Sequence, residues 1–249
     1  MKAIKIISTA LFLCYLAVAC TPADTTEDAT NTTISTEGEA LETAVELVDK
    51  VEYNEDSTFK MTYQVDKNTG AKYGVYKEYD VSASTLLSER NYKNNKLEGV
   101  EKIYFPNGQV DGVFNYKDGV HDGTFKYYYE DGTLKQEGAY VKGTIEGMLK
   151  SYYASGALKE EVMHVKGLTQ GAFKEYNENG TVKAEGEYTS KSDQENLEHG
   201  LFKEYDENGE LVKKMRCKEG QCCTIWTLED GDVKPTTKLC DAILNSEAS

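Results

Sequence analysis

The residues best suited to bond-forming chemistry are four cysteines near the C-terminus. Cys217, Cys222, Cys223 and Cys240 all lie within the last 33 residues. In an exported chain, an even number of clustered cysteines favours disulfides, which stabilise segments too small for a large core. Metal binding is the alternative, but no histidine lies among them and the spacing is not C-x-x-C. The sequence therefore predicts two disulfides, with their pairing left open, and no metal site.

Other reactive side chains do not form a recognisable catalytic set. His121, His164 and His199 are irregularly spaced and fall in different parts of the chain. No G-x-S-x-G, H-E-x-x-H or phosphate-binding loop occurs. The adjacent acids Glu160 and Glu161 would point to opposite faces of a strand, so they do not form a dyad. We expect no catalytic residues, no cofactor and no enzymatic activity.

The N-terminus carries a targeting segment that ends before Cys20. Two lysines precede an apolar run and then small residues, which is the layout of a secretory signal. The stretch Leu16-Ala17-Val18-Ala19-Cys20 resembles the lipobox of bacterial lipoproteins, whose cysteine becomes the lipidated first residue. Cleavage that leaves a free Cys20 is the alternative. We interpret residues 1–19 as a lipoprotein signal peptide and Cys20 as the lipidation site, and by the same resemblance Thr21 points to the outer membrane.

Charge restricts the classes of partner. The net charge is −15, and cleavage before Cys20 removes two lysines, leaving 26 basic and 43 acidic residues, or −17. Such a chain repels nucleic acid and anionic lipid headgroups. We therefore expect no nucleic-acid binding and attachment to the membrane only through the lipid.

Two short segments follow the signal. Residues 20–40 are acidic and threonine-rich with almost no large apolar residues, so they cannot offset the entropy of folding and are predicted to form a disordered tether. Residues 41–55 place Leu41, Ala44, Val45 and Val48 at helical spacing, which predicts a linker with a short helix. A strand from Val45 to Tyr53 is the alternative.

Residues 56–220 contain internal repeats. Gly99, Gly123, Gly147 and Gly171 are spaced by 24 residues, and Gly200 follows after 29 because "SKSDQENLE" adds a loop. A fixed period of this size is typical of stacked repeats. Six copies share a lysine and a tyrosine at fixed positions: Lys77, Lys102, Lys126, Lys150, Lys174 and Lys203, and Tyr79, Tyr104, Tyr128, Tyr152, Tyr176 and Tyr205.

Each copy reads as a β-hairpin. Asn-Gly or Asp-Gly stands between alternating segments at 107–108, 131–132, 179–180 and 208–209. A two-residue turn at Asp131-Gly132 would place Tyr129 opposite Leu134, Tyr128 opposite Lys135 and Lys126 opposite Glu137. The lysine–glutamate pairing recurs as Lys150–Glu161 and Lys174–Glu185, and fails where Lys203 meets Lys214. A three-residue turn is the alternative, and it would slip the register by one residue.

This register divides the tyrosines between two faces. Phe125, Tyr127, Tyr129, Leu134 and Tyr140 form the more apolar face, which should be at least partly covered by sheet curvature or by the N-terminal helix. The opposite face carries one tyrosine on every second strand, and these tyrosines are our candidate binding face: Tyr104, Tyr128, Tyr152, Tyr176 and Tyr205. Tyrosine among lysine and glutamate is typical of recognition surfaces. A purely stabilising role for these rings is the alternative.

The repeats resemble the bacterial variant of the MORN repeat, and the segment Gly171-Ala-Phe-Lys-Glu-Tyr-Asn-Glu-Asn-Gly180 is close to its pattern. The resemblance implies an all-β fold, an elongated single antiparallel meander of repeated hairpins. It also implies a binding or scaffolding module, and some members of this family carry an antitoxin label. No catalytic residue comes with the repeat.

The C-terminal segment, 221–249, is expected to form a cysteine-containing cap, because "CTIWTLEDGDVKP" reads as one more hairpin that closes the end of the sheet. The sequence as a whole predicts an outer-membrane lipoprotein of the cell envelope that binds an unidentified protein partner. An antitoxin or immunity protein that neutralises a toxin is the alternative.

Overall fold

A computed structural model describes residues 45–192, 195–234 and 237–245. The predicted signal peptide, the lipidation site and the tether lie outside these residues. The described chain forms nineteen strands and one helix: β1 Leu47–Tyr53, β2 Phe59–Asp66, β3 Lys72–Asp80, β4 Thr85–Lys93, β5 Lys96–Leu97, β6 Gly99–Tyr104, β7 Val110–Lys117, β8 Val120–His121, β9 Gly123–Tyr128, β10 Leu134–Val141, β11 Thr144–Ile145, β12 Gly147–Tyr152, β13 Leu158–Val165, β14 Leu168–Tyr176, β15 Val182–Thr189, β16 Glu198–Tyr205, β17 Leu211–Lys218, β18 Gln221–Thr227, β19 Gly231–Asp232 and α1 Lys238–Asn245.

The strands form one open antiparallel sheet, as the repeats predicted. Each long strand pairs with the next long strand along the chain, so the sheet is a meander. The two-residue strands β5, β8 and β11 pair with the end of the preceding strand, directly after a tight turn. A single hairpin is marginally stable in water, and the shared sheet supplies the partners that each copy lacks.

The predicted two-residue turns at Asn-Gly and Asp-Gly are wrong. The Gly132 N–H donates to the Tyr129 carbonyl (2.9 Å), and the Tyr129 N–H donates to the Thr133 carbonyl (2.8 Å), so the loop has three residues. The Asp131 carboxylate accepts the Thr133 N–H at 2.8 Å, and Gly132 takes the positive φ of 86°. Only one loop residue needs a left-handed backbone here, and glycine meets that need without a Cβ penalty.

Two-residue turns do occur, but at the other end of the hairpins. Val141 pairs with Thr144, which leaves Lys142 and Gly143 as the turn, with φ of 50° and 84°. Positive φ at both central residues is the type I′ conformation, whose twist matches that of the flanking strands.

A β-bulge restores the register that the longer loop shifts. Tyr128 pairs with Leu134 and not, as predicted, with Lys135. The next pair is Tyr127 with Gln136, so Lys135 is the extra, unpaired residue of the bulge. Beyond the bulge the predicted pair Lys126–Glu137 is confirmed, and Phe125 pairs with Gly138. The prediction that a three-residue turn would slip the register of the hairpin was wrong, because it did not allow for a compensating bulge.

The buried side chains lie mainly on one face, here called the aromatic face, which carries Phe114, Phe125, Phe173 and Phe202 with Tyr140 and Tyr188. The aromatic rings pack across neighbouring strands: Phe125 lies 4.8 Å from Tyr140 and Phe173 lies 4.0 Å from Tyr188, measured between ring centroids. A Cβ at Gly138 would come within 2.9 Å of the Phe125 ring, so this glycine is required by packing.

The predicted helix within 41–55 is wrong over its described part, where β1 runs from Leu47 to Tyr53. Its seven residues pair one to one with β2, which supplies their backbone hydrogen-bond partners. A short isolated helix would have only its own backbone groups as partners and is marginally stable in water. The alternative strand from Val45 to Tyr53 matches the structure. β1 therefore extends the sheet as an additional strand.

The other end of the sheet is held by disulfides. Cys217 and Cys222 are directly paired across the β17–β18 hairpin and are bonded, and Cys223 is bonded to Cys240 of α1. Helix α1 contacts β17 and β18 and buries Ile243. Within the described ranges, no helix has the length and apolar character needed to cross a membrane.

Candidate binding face

The face opposite the aromatic face, here called the ladder face, carries the repeated lysines and tyrosines. Each glutamate on the second strand of a hairpin accepts from a lysine of its own hairpin and from the tyrosine of the next hairpin. For Glu137, the Lys126 ammonium lies at 3.2 Å and the Tyr152 hydroxyl donates at 2.8 Å. The same arrangement recurs in three further sets: Lys77–Glu89–Tyr104, Lys150–Glu161–Tyr176 and Lys174–Glu185–Tyr205.

These contacts fix the protonation of the face. Hydrogen bonds from Lys203 and Tyr205 lower the pKa of Glu185 to about 2. The Tyr152 hydroxyl and Lys126 likewise hold the pKa of Glu137 below its usual value. Burial and the bond to Glu137 raise the pKa of Tyr152 to about 12. At neutral pH Glu137 and Glu185 are therefore anionic acceptors and Tyr152 is a neutral donor, and their bonding partners lie within the sheet.

One set in the series is incomplete. Val113 stands on β7 where the other copies have glutamate, directly opposite Lys102. Consequently, no carboxylate of the described chain makes an ion pair with Lys102 or a hydrogen bond with Tyr128, the tyrosine that would complete this set. Lys102 and the Tyr128 hydroxyl thus lie on either side of an apolar side chain. On its other side Lys102 is paired with Glu89 of β4, whose pKa is lowered by hydrogen bonds from Lys77 and Tyr104 and further by the charge of Lys102. A second carboxylate at Val113 could still accept from both Lys102 and Tyr128.

Exposed apolar side chains run alongside the ladder. The residue after each boundary glycine faces the same side as the lysine, and Val75, Val100, Met148 and Leu201 occupy this position with 37–44% of their surface exposed. Val141, at the turn end of the same face, is 50% exposed. Thr124 and Ala172 occupy the position in the two remaining copies, so large apolar residues stand in four of the six. A band of exposed apolar residues beside paired charges is an arrangement found in protein-binding surfaces.

The five candidate tyrosines share one face, as the predicted register requires, and all five are half-buried. Four of their hydroxyls are bonded to glutamates of the preceding hairpin, which sequence analysis did not foresee. The apolar band was also missed, although the recurring apolar residue after the boundary glycines was visible in the sequence. The absence of glutamate at Val113 was visible too, as a break in the lysine–glutamate series.

The histidines are not gathered into a site. His121 lies on the aromatic face between Tyr116 and Tyr140, at ring distances of 4.2 and 4.9 Å. His164 is buried and lies opposite Gly147, at the position that Tyr116 and Tyr140 occupy in earlier copies. In the described part of the chain no three histidine, cysteine, aspartate or glutamate side chains are arranged to hold a metal ion.

The fold and the face define a β-hairpin repeat protein with one open sheet. Five segments, 97–118, 122–142, 145–166, 169–189 and 198–216, match the sequence family described as MORN repeat variant. These five segments are similar to that family, and β2 to β4 continue the hairpin arrangement before the first matched segment. No curated protein matches the sequence.

Solved structures with detectable similarity include two of TarM. The crystal structure of TarM is 10% identical, covering 45% of this chain and 17% of that one, with a TM-score of 0.21. A mutant of S. aureus TarM in complex with Fondaparinux, alpha-GlcNAc-glycerol and UDP is 9% identical, covering 50% of this chain and 19% of that one, with a TM-score of 0.21. The chain spans less than a fifth of TarM, and similarity this low supports no argument about fold or function.

Proposed function

We propose that this protein is a membrane-anchored repeat lipoprotein of the cell envelope that binds a protein partner through the ladder face. The observation that carries the proposal is the band of exposed apolar side chains, Val75, Val100, Met148 and Leu201, that lies beside the ladder. Burying these side chains against a partner removes apolar surface from water, which is the main driving force of association. The sheet is held by its own backbone pairing, so little ordering entropy is lost on binding.

The incomplete set at Val113 indicates the chemistry of the contact. Lys102 and Tyr128 have the donors that elsewhere hold a glutamate, and a carboxylate presented by the partner would take the place of the missing side chain. A charge-assisted hydrogen bond to such a carboxylate is stronger than a neutral one. The partner is therefore expected to offer an acidic side chain flanked by apolar surface.

Substitutions on the ladder face test this function. Val100→Asp combined with Met148→Asp should reduce at least tenfold the capture of partners from solubilised native envelopes, because two charges would be buried in the contact. The matched control, Leu228→Asp with Leu239→Asp, changes two exposed apolar residues of the C-terminal cap. Equal capture by both double variants would reject the ladder face as the binding surface.

Anchoring is tested separately at Cys20. Replacing Cys20 with alanine should move the protein from the membrane fraction to the soluble fraction, because no lipid could be attached. A protein that still sediments with membranes after a high-salt wash would contradict the lipoprotein assignment.

An antitoxin role would use the ladder face too. It would be recognised by a toxic product of a neighbouring gene that cells tolerate only when this protein is expressed.

A further inference from the structure

Among the described residues, the first strand of the sheet has one edge without a partner strand. Within residues 45–192, 195–234 and 237–245, β1 pairs only with β2. The Lys67 N–H donates to the Glu46 carbonyl (2.8 Å) and the Asn54 N–H donates to the Phe59 carbonyl (3.1 Å), so the even-numbered residues bond to β2. The odd-numbered residues Leu47, Asp49, Val51 and Tyr53 then direct their N–H and C=O groups outward.

This edge is built for the addition of another strand. All seven residues of β1 are exposed, including Val51 at 57% and Tyr53 at 54%. The strand has no proline, and no bulge interrupts its pairing with β2. Prolines and bulges are two features with which natural proteins protect free edges, because an unprotected edge pairs with other chains.

The charges of β1 select one pairing with a second copy of the same strand. In a two-fold antiparallel pair, the residue on the symmetry axis lies opposite the same residue of the second copy. The side chains of two paired residues lie on the same face of the sheet. Centring the pair on Asp49, Lys50 or Glu52 would bring two like charges together. Centring it on Val48 would place Lys50 opposite Glu46, which precedes β1 and is already paired with Lys67. Centring it on Val51 brings Val51 onto Val51 and places Lys50 opposite Glu52 of the second copy, twice.

We propose that two copies of this protein associate through β1, paired antiparallel about Val51, so that the two sheets become continuous. The Val51 N–H and C=O of each copy bond to those of the other, and two Lys50–Glu52 ion pairs form on the face opposite the two valines. The assembly stops at two copies because a two-fold pair uses the β1 edge of both copies. At the far end of the sheet β18 pairs with β19 and is bonded to α1 through Cys223–Cys240.

Charge reversal tests the pairing on the full chain in detergent, with sedimentation velocity as the readout. Lys50→Glu or Glu52→Lys alone should weaken association at least tenfold, because each creates two like-charge contacts. An equimolar mixture of the two variants should recover the dimer, because both contacts then join a lysine to a glutamate. Neither side chain makes an ion pair with other described residues. Glu52 does interact with the Tyr63 hydroxyl, whose pKa it helps to raise, so Lys50→Glu is the variant expected to leave folding unchanged.

A cysteine at the centre identifies the register. Val51→Cys should give a disulfide-linked dimer on mild oxidation, since directly paired Cα atoms lie about 5.5 Å apart, within disulfide range. Asp49→Cys is the matched control, because it faces Tyr53 of the second copy and should not crosslink to itself. A monomeric wild-type chain, a mixture that associates no better than either variant alone, or crosslinking of Asp49→Cys in place of Val51→Cys would overturn the proposal.

Discussion

Replacing Phe173 with alanine should lower the free energy of unfolding by about 3–5 kcal/mol, the largest single-residue effect expected in the repeats. Phe173 is 3% exposed and packs with Val162 and Ala184 in the buried cluster of the aromatic face. Its ring stacks on Tyr188 and fills the space above Gly186, where a Cβ would come within 3.0 Å of it. Alanine would leave a cavity that rigid strands cannot close.

Chemical denaturation followed by circular dichroism measures this loss. Phe59→Ala is the matched control, because Phe59 lies on an outer hairpin and is 37% exposed, so its removal should cost about 1 kcal/mol or less. Equal losses for the two variants would mean that the aromatic face is not the stabilising core of the sheet.

Removing the Cys223–Cys240 disulfide should cost about 3 kcal/mol, because it closes a 17-residue separation and constrains the unfolded chain accordingly. It also holds α1, which buries Ile243 and has few other contacts with the sheet. In Cys223→Ser with Cys240→Ser, the amides of α1 should therefore exchange with solvent much faster than in the wild type.

The second disulfide is the internal comparison. Cys217 and Cys222 are separated by only five residues, so Cys217→Ser with Cys222→Ser should cost about 2 kcal/mol and leave the exchange of α1 nearly unchanged. Protection of α1 that is the same in both double variants would show that packing of Ile243, and not the disulfide, holds the helix.

The repeat pattern predicted the fold and the central register because both depend on residue type at a fixed period. Lysine opposite glutamate, as in Lys150–Glu161, is favourable in only one alignment of a hairpin, so the pairing could be predicted by counting. The loops at the ends of the hairpins could not be predicted in this way, because Asp131-Gly132 suits both a two-residue and a three-residue loop. The choice depends on whether a bulge at Lys135 is tolerated, which is a property of the sheet.

The N-terminal strand illustrates the same limit. Leu41, Ala44, Val45 and Val48 have helical spacing, whereas Val48, Val51 and Tyr53 favour a strand. A free edge on β2 decides between these tendencies, because it supplies hydrogen bonds to any adjacent extended segment. The bonds from the tyrosines to glutamates of the neighbouring hairpin were missed for a related reason: sequence counting gives partners within a hairpin but not the diagonal contacts between hairpins.

The proposed contact at the incomplete ladder set is tested most directly by Val113→Glu. The new carboxylate would accept from Lys102 and Tyr128 as the other glutamates do, so the folded state should be at least as stable as the wild type. We expect capture of partners from native envelopes to fall at least tenfold, because the new side chain occupies and neutralises the donors that a partner carboxylate would use. Val113→Gln, similar in size but uncharged, should keep most of the capture. A Val113→Glu variant that captures the same proteins as the wild type would contradict binding at this position.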